Sequence, residues 1–229
     1  MQQLTLDISL RDGFQFESFY TNRDNADVVN LLKLIALDKE QGQFFFWGKT
    51  QTGKSHLLQA CCQKASITAG ISYLPLKSLS HYGVDCFKNI YNASLVVIDD
   101  IDIVLGKPEW EEALFHLINE TRQNKQTLLL SASNGPRHLN CKLPDLASRL
   151  LWGASYQVHE LSDQDKFLAL QLRARQRGFE IPDHIVDYLY KRYPRELDTL
   201  MDILNNIDKK SLSTGRKITL PLIKDALKE

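Results

Sequence analysis

The sequence has no surplus of charge in either sign: 28 Lys and Arg balance 28 Asp and Glu over 229 residues. Proteins that wrap nucleic acid neutralise its phosphates with excess Lys and Arg. Direct DNA binding is therefore expected to be weak or absent, with only a local basic patch left open. Cysteine is scarce too. Cys61, Cys62, Cys86 and Cys141 form no C-x-x-C pair and no metal-ligand spacing. Scattered in this way, they fit a reducing cytosol and read as small core hydrophobes. The start, Met1-Gln2-Gln3-Leu4, has neither a basic segment nor a long apolar run, so no signal peptide is expected. No stretch approaches the roughly 18–20 apolar residues of a membrane span. Internal repeats and low-complexity segments are missing as well. These absences predict a cytoplasmic protein with no membrane partner.

What is present is a chain that is 43% apolar, enough for a sizeable core. Its length suits one large domain, or a medium one plus a small one. Residues 1–25 show no helical period and hold the aromatic cluster Phe14, Phe16, Phe19 and Tyr20. Val28, Leu31, Leu32, Ile35 and Ala36 recur at helical spacing between Asp27 and Asp38. Five short apolar runs read as strands: Phe44–Trp47, Ile71–Leu76, Leu95–Ile98, Thr127–Leu130 and Tyr156–Val158. Helical patterns lie between them near Ser55–Ala65, Ser78–Ile90, Glu109–Asn124 and Pro144–Leu151. Continuous apolar strands alternating with helices predict an α/β domain, a parallel sheet covered on both faces. After Leu161 the pattern is helical only. Ser162 and Asp165 resemble a capping box, and the helix they start runs to Gly178. Others follow Pro182 and Pro194, with a further one over Thr219–Lys228. The expected organisation is an N-terminal segment over residues 1–13, an α/β domain over 14–160 and a helical domain over 161–229.

Gly48-Lys49-Thr50-Gln51-Thr52-Gly53-Lys54-Ser55 is a complete G-x-x-x-x-G-K-S between a strand and a helix, the context a P-loop requires. Glycines let the backbone curl so that N–H groups face phosphate oxygens. The helix starting near Lys54 aims its positive end at them. Lys54 is expected to reach the β- and γ-phosphates, and the Ser55 hydroxyl to supply an oxygen to Mg²⁺. Leu95–Asp99 is an apolar strand ending in a carboxylate, which places Asp99 as the partner of that Mg²⁺. Asp100 can orient a water for attack on the γ-phosphate, or serve only as a helix-entry carboxylate. Its side chain is one methylene shorter than Glu, so weak intrinsic hydrolysis is expected.

The order of these features, with Leu146-Ala147-Ser148-Arg149 and an all-helical end, resembles an AAA+ module. Finer details resemble the DnaA branch. Gly53-Lys54-Ser55-His56-Leu57-Leu58 is similar to its G-K-T-H-L-L. Leu114-Phe115-His116 with Asn119, followed by Gln126–Leu130, is similar to its F-F-H-x-x-N helix and next strand. Leu146–Arg149 followed by Gly153 resembles its arginine-finger box, and Arg195-Glu196-Leu197 its second-sensor R-E-L. The resemblance spans residues 14–228. DnaA continues into a helix-turn-helix domain and carries a long N-terminal region, neither of which is expected here. What remains resembles the Hda family, the DnaA-related regulatory inactivators of DnaA. Leu143–Leu150 and the stretch Arg173-Ala174-Arg175 with Arg177-Gly178-Phe179 are also similar to that family. Its N-terminal sliding-clamp motif has the form Q-L-[ST]-L-P-L. Gln3-Leu4-Thr5-Leu6-Asp7-Ile8 is similar, with Asp7 and Ile8 replacing Pro and Leu.

The resemblance implies an AAA+ core of five parallel strands plus a helical lid, with ADP or ATP and Mg²⁺ as cofactors. Gly48 to Ser55, His56 and Arg195 would bind nucleotide, and Ser55 and Asp99 would hold Mg²⁺. Arg149 would act as an arginine finger in trans, and Gln3, Leu4 and Leu6 would dock on the sliding clamp of DNA polymerase III. DnaA would be the other partner, and self-association stays open. Ser131 and Ser133 are alternatives for the first sensor. Phe19 lies beside the adenine or in the core. Two further classes remain, a helicase loader of the DnaC type and a stand-alone ATPase.

Overall fold

The five apolar runs form one sheet. The computed structural model of the protein describes residues 13–65, 70–88, 93–214 and 219–226. In chain order the elements are α1 (Ala26–Ala36), β1 (Gln43–Trp47), α2 (Lys54–Ala65), β2 (Ile71–Pro75), α3 (Leu76–Leu79), β3 (Leu95–Asp99), α4 (Pro108–Gln123), β4 (Thr127–Ala132), α5 (Pro144–Leu150), β5 (Ala154–Gln157), α6 (Asp163–Gln176), α7 (Asp183–Arg192), α8 (Leu197–Thr214) and α9 (Leu220–Ala226). The strands lie in the order β2-β3-β4-β1-β5, all parallel.

Alternation along each strand divides the core into two layers. Phe45, Val96, Ile98, Leu128 and Leu130 face α3, α4 and α5. Phe44, Phe46, Leu95, Val97 and Leu129 face α1 and α2. With both faces covered, polar side chains have no place in the centres of β1, β3 and β4, which is why those runs are continuously apolar. At the carboxyl ends of these strands the P-loop, Asp99 and Ser131 lie on one edge of the sheet.

Most strand ends shift by one or two residues from the sequence reading, and Leu76, expected in a strand, starts α3; two differences stand out. The helix expected over Ser78–Ile90 is broken: α3 ends at Leu79, and 3₁₀ turns at Ser80–Tyr82 and Val84–Phe87 flank Gly83. A glycine inside a helix costs about 1 kcal/mol, and a short apolar pattern does not offset it here. β5 begins two residues before the apolar run, at Ala154. It is an edge strand with Ala154, Ser155 and Gln157 exposed, so small and polar side chains are tolerated.

Residues up to His159 form one compact unit and residues from Glu160 a second. The second unit packs α6 to α9 around Leu170, Ile185, Leu189, Leu200, Leu204 and Ile223. Ser162 caps α6, its Oγ accepting from the Asp165 amide at 3.1 Å.

The loop before α5 is anchored by a buried carboxylate. Glu111 on α4 is 1% exposed. Its oxygens accept from the amides of Gly106 at 2.6 Å, Lys142 at 3.0 Å and Leu143 at 2.7 Å. Burial alone would raise its pKa, but the amides of Lys142, Gly106 and Leu143 outweigh burial and hold it below the ordinary value. Its stabilisation is therefore present above the ordinary carboxylate pKa and is lost as pH falls through the depressed value. Glu111→Ala should lower unfolding stability in urea by about 1–3 kcal/mol at neutral pH, because it strands three amides. The gap from wild type should shrink in acid, and an equal gap at all pH values would contradict this account.

Candidate phosphate-binding site

β1 ends at Trp47, and the chain curls through residues 48–53 before α2 begins at Lys54. Lys49, Thr50 and Gln51 are exposed, whereas Thr52 and Lys54 are buried. Thr52 Oγ1 donates to the Lys49 carbonyl at 3.0 Å and closes the curl. Gly53 has φ +90°, and a Cβ there would lie 2.7 Å from the Phe19 ring. Only glycine suits that position. Phe19 thus lies against the P-loop and also packs on the core layer of α1 and α2.

Lys54 Nζ donates to the carbonyls of Gly48 at 2.7 Å and Lys49 at 3.0 Å. Burial pulls its pKa below the ordinary lysine value, opposed by the charges of Asp100, Asp99 and Asp102. Ser55, half-buried, occupies the first turn of α2.

Asp99 is 2% exposed at the end of β3. Tyr73 Oη donates to its Oδ2 at 2.8 Å, and Ser131 Oγ donates to its Oδ1. Gln59 Nε2 in turn donates to Tyr73 Oη at 3.1 Å. The buried Tyr73 hydroxyl, facing a carboxylate, has its pKa pushed far up. A carboxylate has about four lone-pair sites, so Asp99 keeps acceptor capacity for a water. Among the described residues no cluster of three or more His, Cys, Asp or Glu side chains could chelate a metal ion. The donor set is therefore one hydroxyl and one oriented carboxylate. That fits Mg²⁺, which keeps several waters and takes further oxygens from substrate phosphates.

Asp100 follows in the left-handed region, at φ 60°. Its amide donates to Ser131 Oγ at 2.9 Å. Burial, with the Asp99 charge next, lifts its carboxyl to about 6. Ser131 therefore bridges Asp99 and Asp100, whereas the Ser133 amide donates to Asp102 Oδ2 at 3.1 Å. His56 is drawn to the preceding segment. Its ring stacks on Phe14 at 4.7 Å, and its Nε2 lies 2.9 Å from the Gln15 carbonyl and 3.2 Å from Ser18 Oγ.

Arg149 lies elsewhere in the unit, in the last turn of α5. Its Nε donates to Asn119 Oδ1 at 2.8 Å, and its guanidinium carbon is 3.9 Å from the centroid of the Trp152 ring. Among the described residues it has no ion-pair partner. Arg195, in the second unit, pairs with Asp163 at 2.7 Å and lies over Tyr190. Gln3, Leu4 and Leu6 lie outside the described residues. The sequence reading missed Tyr73, Gln59, Asp102 and Trp152. Only the strand order, which puts β2 beside β3 and Tyr73 opposite Val97, brings that hydroxyl to Asp99.

A P-loop after β1, an acidic end on β3, a hydroxyl at the end of β4 and a separate helical unit define an AAA+ module. A family model described as the bacterial DnaA ATPase domain matches residues 10–157, and one described as the Hda lid domain matches residues 163–227. Among solved structures, domain III of Thermotoga maritima DnaA is similar at TM-score 0.81 and 19% identity, covering 96% of this chain and 98% of that one. AMPPCP-bound DnaA from Aquifex aeolicus is similar at TM-score 0.68 and 20% identity. The match covers 86% of this chain but 66% of that longer one. Thermotoga maritima RuvB shares the fold at TM-score 0.64 and 16% identity, over 93% of this chain and 73% of that one. The chain belongs to the bacterial DnaA ATPase-domain family and is an Hda-like, DnaA-related AAA+ protein. No helix among the described residues is long and apolar enough to cross a membrane.

Two substitutions probe the site. Lys54→Ala removes a charge-assisted contact worth about 1.5–3 kcal/mol. It should weaken ADP binding in calorimetry by ~10–100-fold while leaving the thermal unfolding transition cooperative. Unchanged affinity would remove Lys54 from the site. Asp100 has a raised pKa, so the stability it contributes is full below the ordinary carboxylate value and is lost as pH rises through about 6. Asp100→Asn removes that loss and suits the left-handed backbone. It should raise the urea midpoint at pH 7 and much less at pH 4.

Proposed function

We propose that this protein regulates the replication initiator DnaA by donating Arg149 to ATP held by DnaA. It would do so while carrying ADP or ATP in its own P-loop. The observation that carries this reading is the placement of Arg149. Gln43, at the amino-terminal end of β1, bonds to the Arg149 carbonyl at 2.8 Å. The P-loop springs from the other end of the same strand. Four residue steps at about 3.3 Å separate the two ends. An arginine rooted at one edge of the sheet is thus remote from the phosphates bound at the other. Its charge, matched by no carboxylate among the described residues, suits a neighbour's nucleotide. AAA+ contacts of this head-to-tail kind do not need identical partners.

On this reading Gly48 to Ser55 bind the phosphates, Lys54 is their counter-charge, and Ser131 is the first sensor, reading the site through Asp99. Ser55 and Asp99 would hold Mg²⁺, which would supply neutralisation of phosphate charge. Asp100 would support slow intrinsic hydrolysis, and Arg195 would act as the second sensor. Gln3, Leu4 and Leu6 would tether the protein to the DNA-loaded sliding clamp. That raises the effective concentration of a weakly bound partner. The cytoplasm is the compartment in which these partners meet.

The test follows conversion of DnaA-bound ATP to ADP with clamp on DNA. Arg149→Ala should retain ADP affinity and clamp binding and lose stimulation, approaching the ~10³-fold scale of arginine fingers. Equal conversion by variant and wild type would leave Arg149 a structural residue. Deleting residues 2–8 should abolish clamp capture in a pull-down and spare ADP affinity. Undiminished capture would place the clamp contact elsewhere.

A further inference from the structure

The turn after Arg149 is held from several sides. Gln43 Nε2 donates to the carbonyls of both Arg149 and Trp152, at 2.8 and 3.0 Å. Gly153, at φ +74°, passes so close that a Cβ would lie 1.9 Å from the Gln43 carbonyl oxygen. Backbone contact this tight fixes where Trp152 leaves the chain. Trp152 then carries two cations: the guanidinium carbons of Arg122 and Arg149 lie 4.0 and 3.9 Å from its ring centroid. Two like charges repel, and the negative π face of the indole is what draws both in. The Asn119 amide oxygen takes the Arg149 Nε–H at 2.8 Å. A carboxylate would hold the guanidinium as firmly, but it would cancel the charge. A ring face and an amide fix its orientation and leave the charge in place.

We propose that Trp152 is the positioning residue of Arg149, a π platform fixed to β1 through Gln43 that sets the direction in which the guanidinium meets a partner's phosphate. The proposal rests on the trans-arginine reading above. Trp152 would touch neither nucleotide nor partner phosphate, so its effect runs through Arg149. An arginine that acts in the transition state governs the maximal rate more than the affinity of the encounter. A displacement of the order of 1 Å can cost ~10²-fold in rate.

The experiment compares wild type, Arg149→Ala, Trp152→Leu and Trp152→Phe in single-turnover conversion of DnaA-bound ATP with clamp on DNA, each titrated to saturation. Leucine keeps apolar volume against Ile118 and Leu128, which line the same cavity, but has no π face. Phenylalanine keeps a smaller one. Trp152→Leu should lower the maximal rate by about 10–100-fold with the half-saturating concentration unchanged. Trp152→Phe should recover most of it. If Arg149→Ala is inactive and Trp152→Leu is as fast as wild type, the platform is refuted while the arginine finger stands. If Arg149→Ala itself converts ATP normally, the trans-arginine reading fails and this proposal with it. Should Trp152→Leu fail to fold, Trp152→Phe serves as the folded comparison in a spectroscopic test. The NMR resonance of Arg149 Nε–H then reports on the platform directly. In wild type it should show a ring-current shift that Trp152→Phe alters, and an unaltered shift would overturn the proposal.

Discussion

β1 sets the geometry on which both halves of the protein's chemistry depend. It is hydrogen-bonded to β4 on one side and β5 on the other. Phe45 and Phe46 at its centre are 0% and 1% exposed. A strand paired on both edges and packed on both faces has no soft degree of freedom. At its carboxyl end the Gly48 amide still donates to the Ala132 carbonyl at 3.3 Å, so the P-loop starts from a fixed point. At its amino end Gln43 holds the turn that follows Arg149. On the proposed reading, one rigid rod thereby sets the separation between the place where phosphate charge would be received and the place where positive charge would be offered.

The carboxyl edge concentrates acidic charge around one buried lysine. Asp99, Asp100 and Asp102 all raise the Lys54 pKa against the burial that lowers it. Asp102 Oδ1 is buried with no hydrogen-bond partner among the described residues, although its Oδ2 accepts from Ser133. Asp100 bears two strains together, a left-handed backbone and a carboxyl lifted by burial and by Asp99. A non-glycine residue in that region costs about 1–2 kcal/mol. Strained and uncompensated groups of this kind gather where a fold is organised for a ligand rather than for its own stability. Tyr73 and Ser131 hold Asp99 from two sides, so its carboxylate is fixed in orientation at the end of β3.

Much of this was legible in the sequence because it rests on local pattern. The P-loop pattern stands out through the spacing of its glycines between a strand and a helix, and the five apolar runs declare a sheet covered on both faces. The break at Gly83 was not legible, because apolar spacing on either side continues through it. Nor were the partners of Asp99. Tyr73 and Gln59 come from different elements, and their meeting follows from the strand order rather than from any window of residues. The choice between Ser131 and Ser133 turns on alternation. Adjacent strand residues face opposite ways but these two face alike, so only the end of the strand separates them. Ser131 is still inside β4 and meets Asp99, while Ser133 lies past its end at Ala132. Trp152 gave no signal at all, since its contacts with Arg122 and Arg149 depend on α4 and α5 delivering those side chains to one ring.

The charge state of Arg149 bears on partner choice. An arginine that serves only the fold is normally matched by a carboxylate, because an unmatched buried charge is costly. Here the guanidinium is half-buried, and its neighbours Asn119, Phe115 and Trp152 are all neutral. His116, Asn119, Glu120 and Gln123 line the depression it shares, which is polar but forms no ion pair with it. On the proposed reading the chain carries both halves of a head-to-tail contact, a phosphate site at one edge and a guanidinium with no ion-pair partner among the described residues at the other. Geometry alone then permits a second copy of this chain as readily as a relative. Discrimination between them is a difference of affinities and falls to the side chains around the arginine, not to the arginine itself. A finger held by neutral groups attracts any nucleotide phosphate, so its specificity has to be built from the depression that surrounds it.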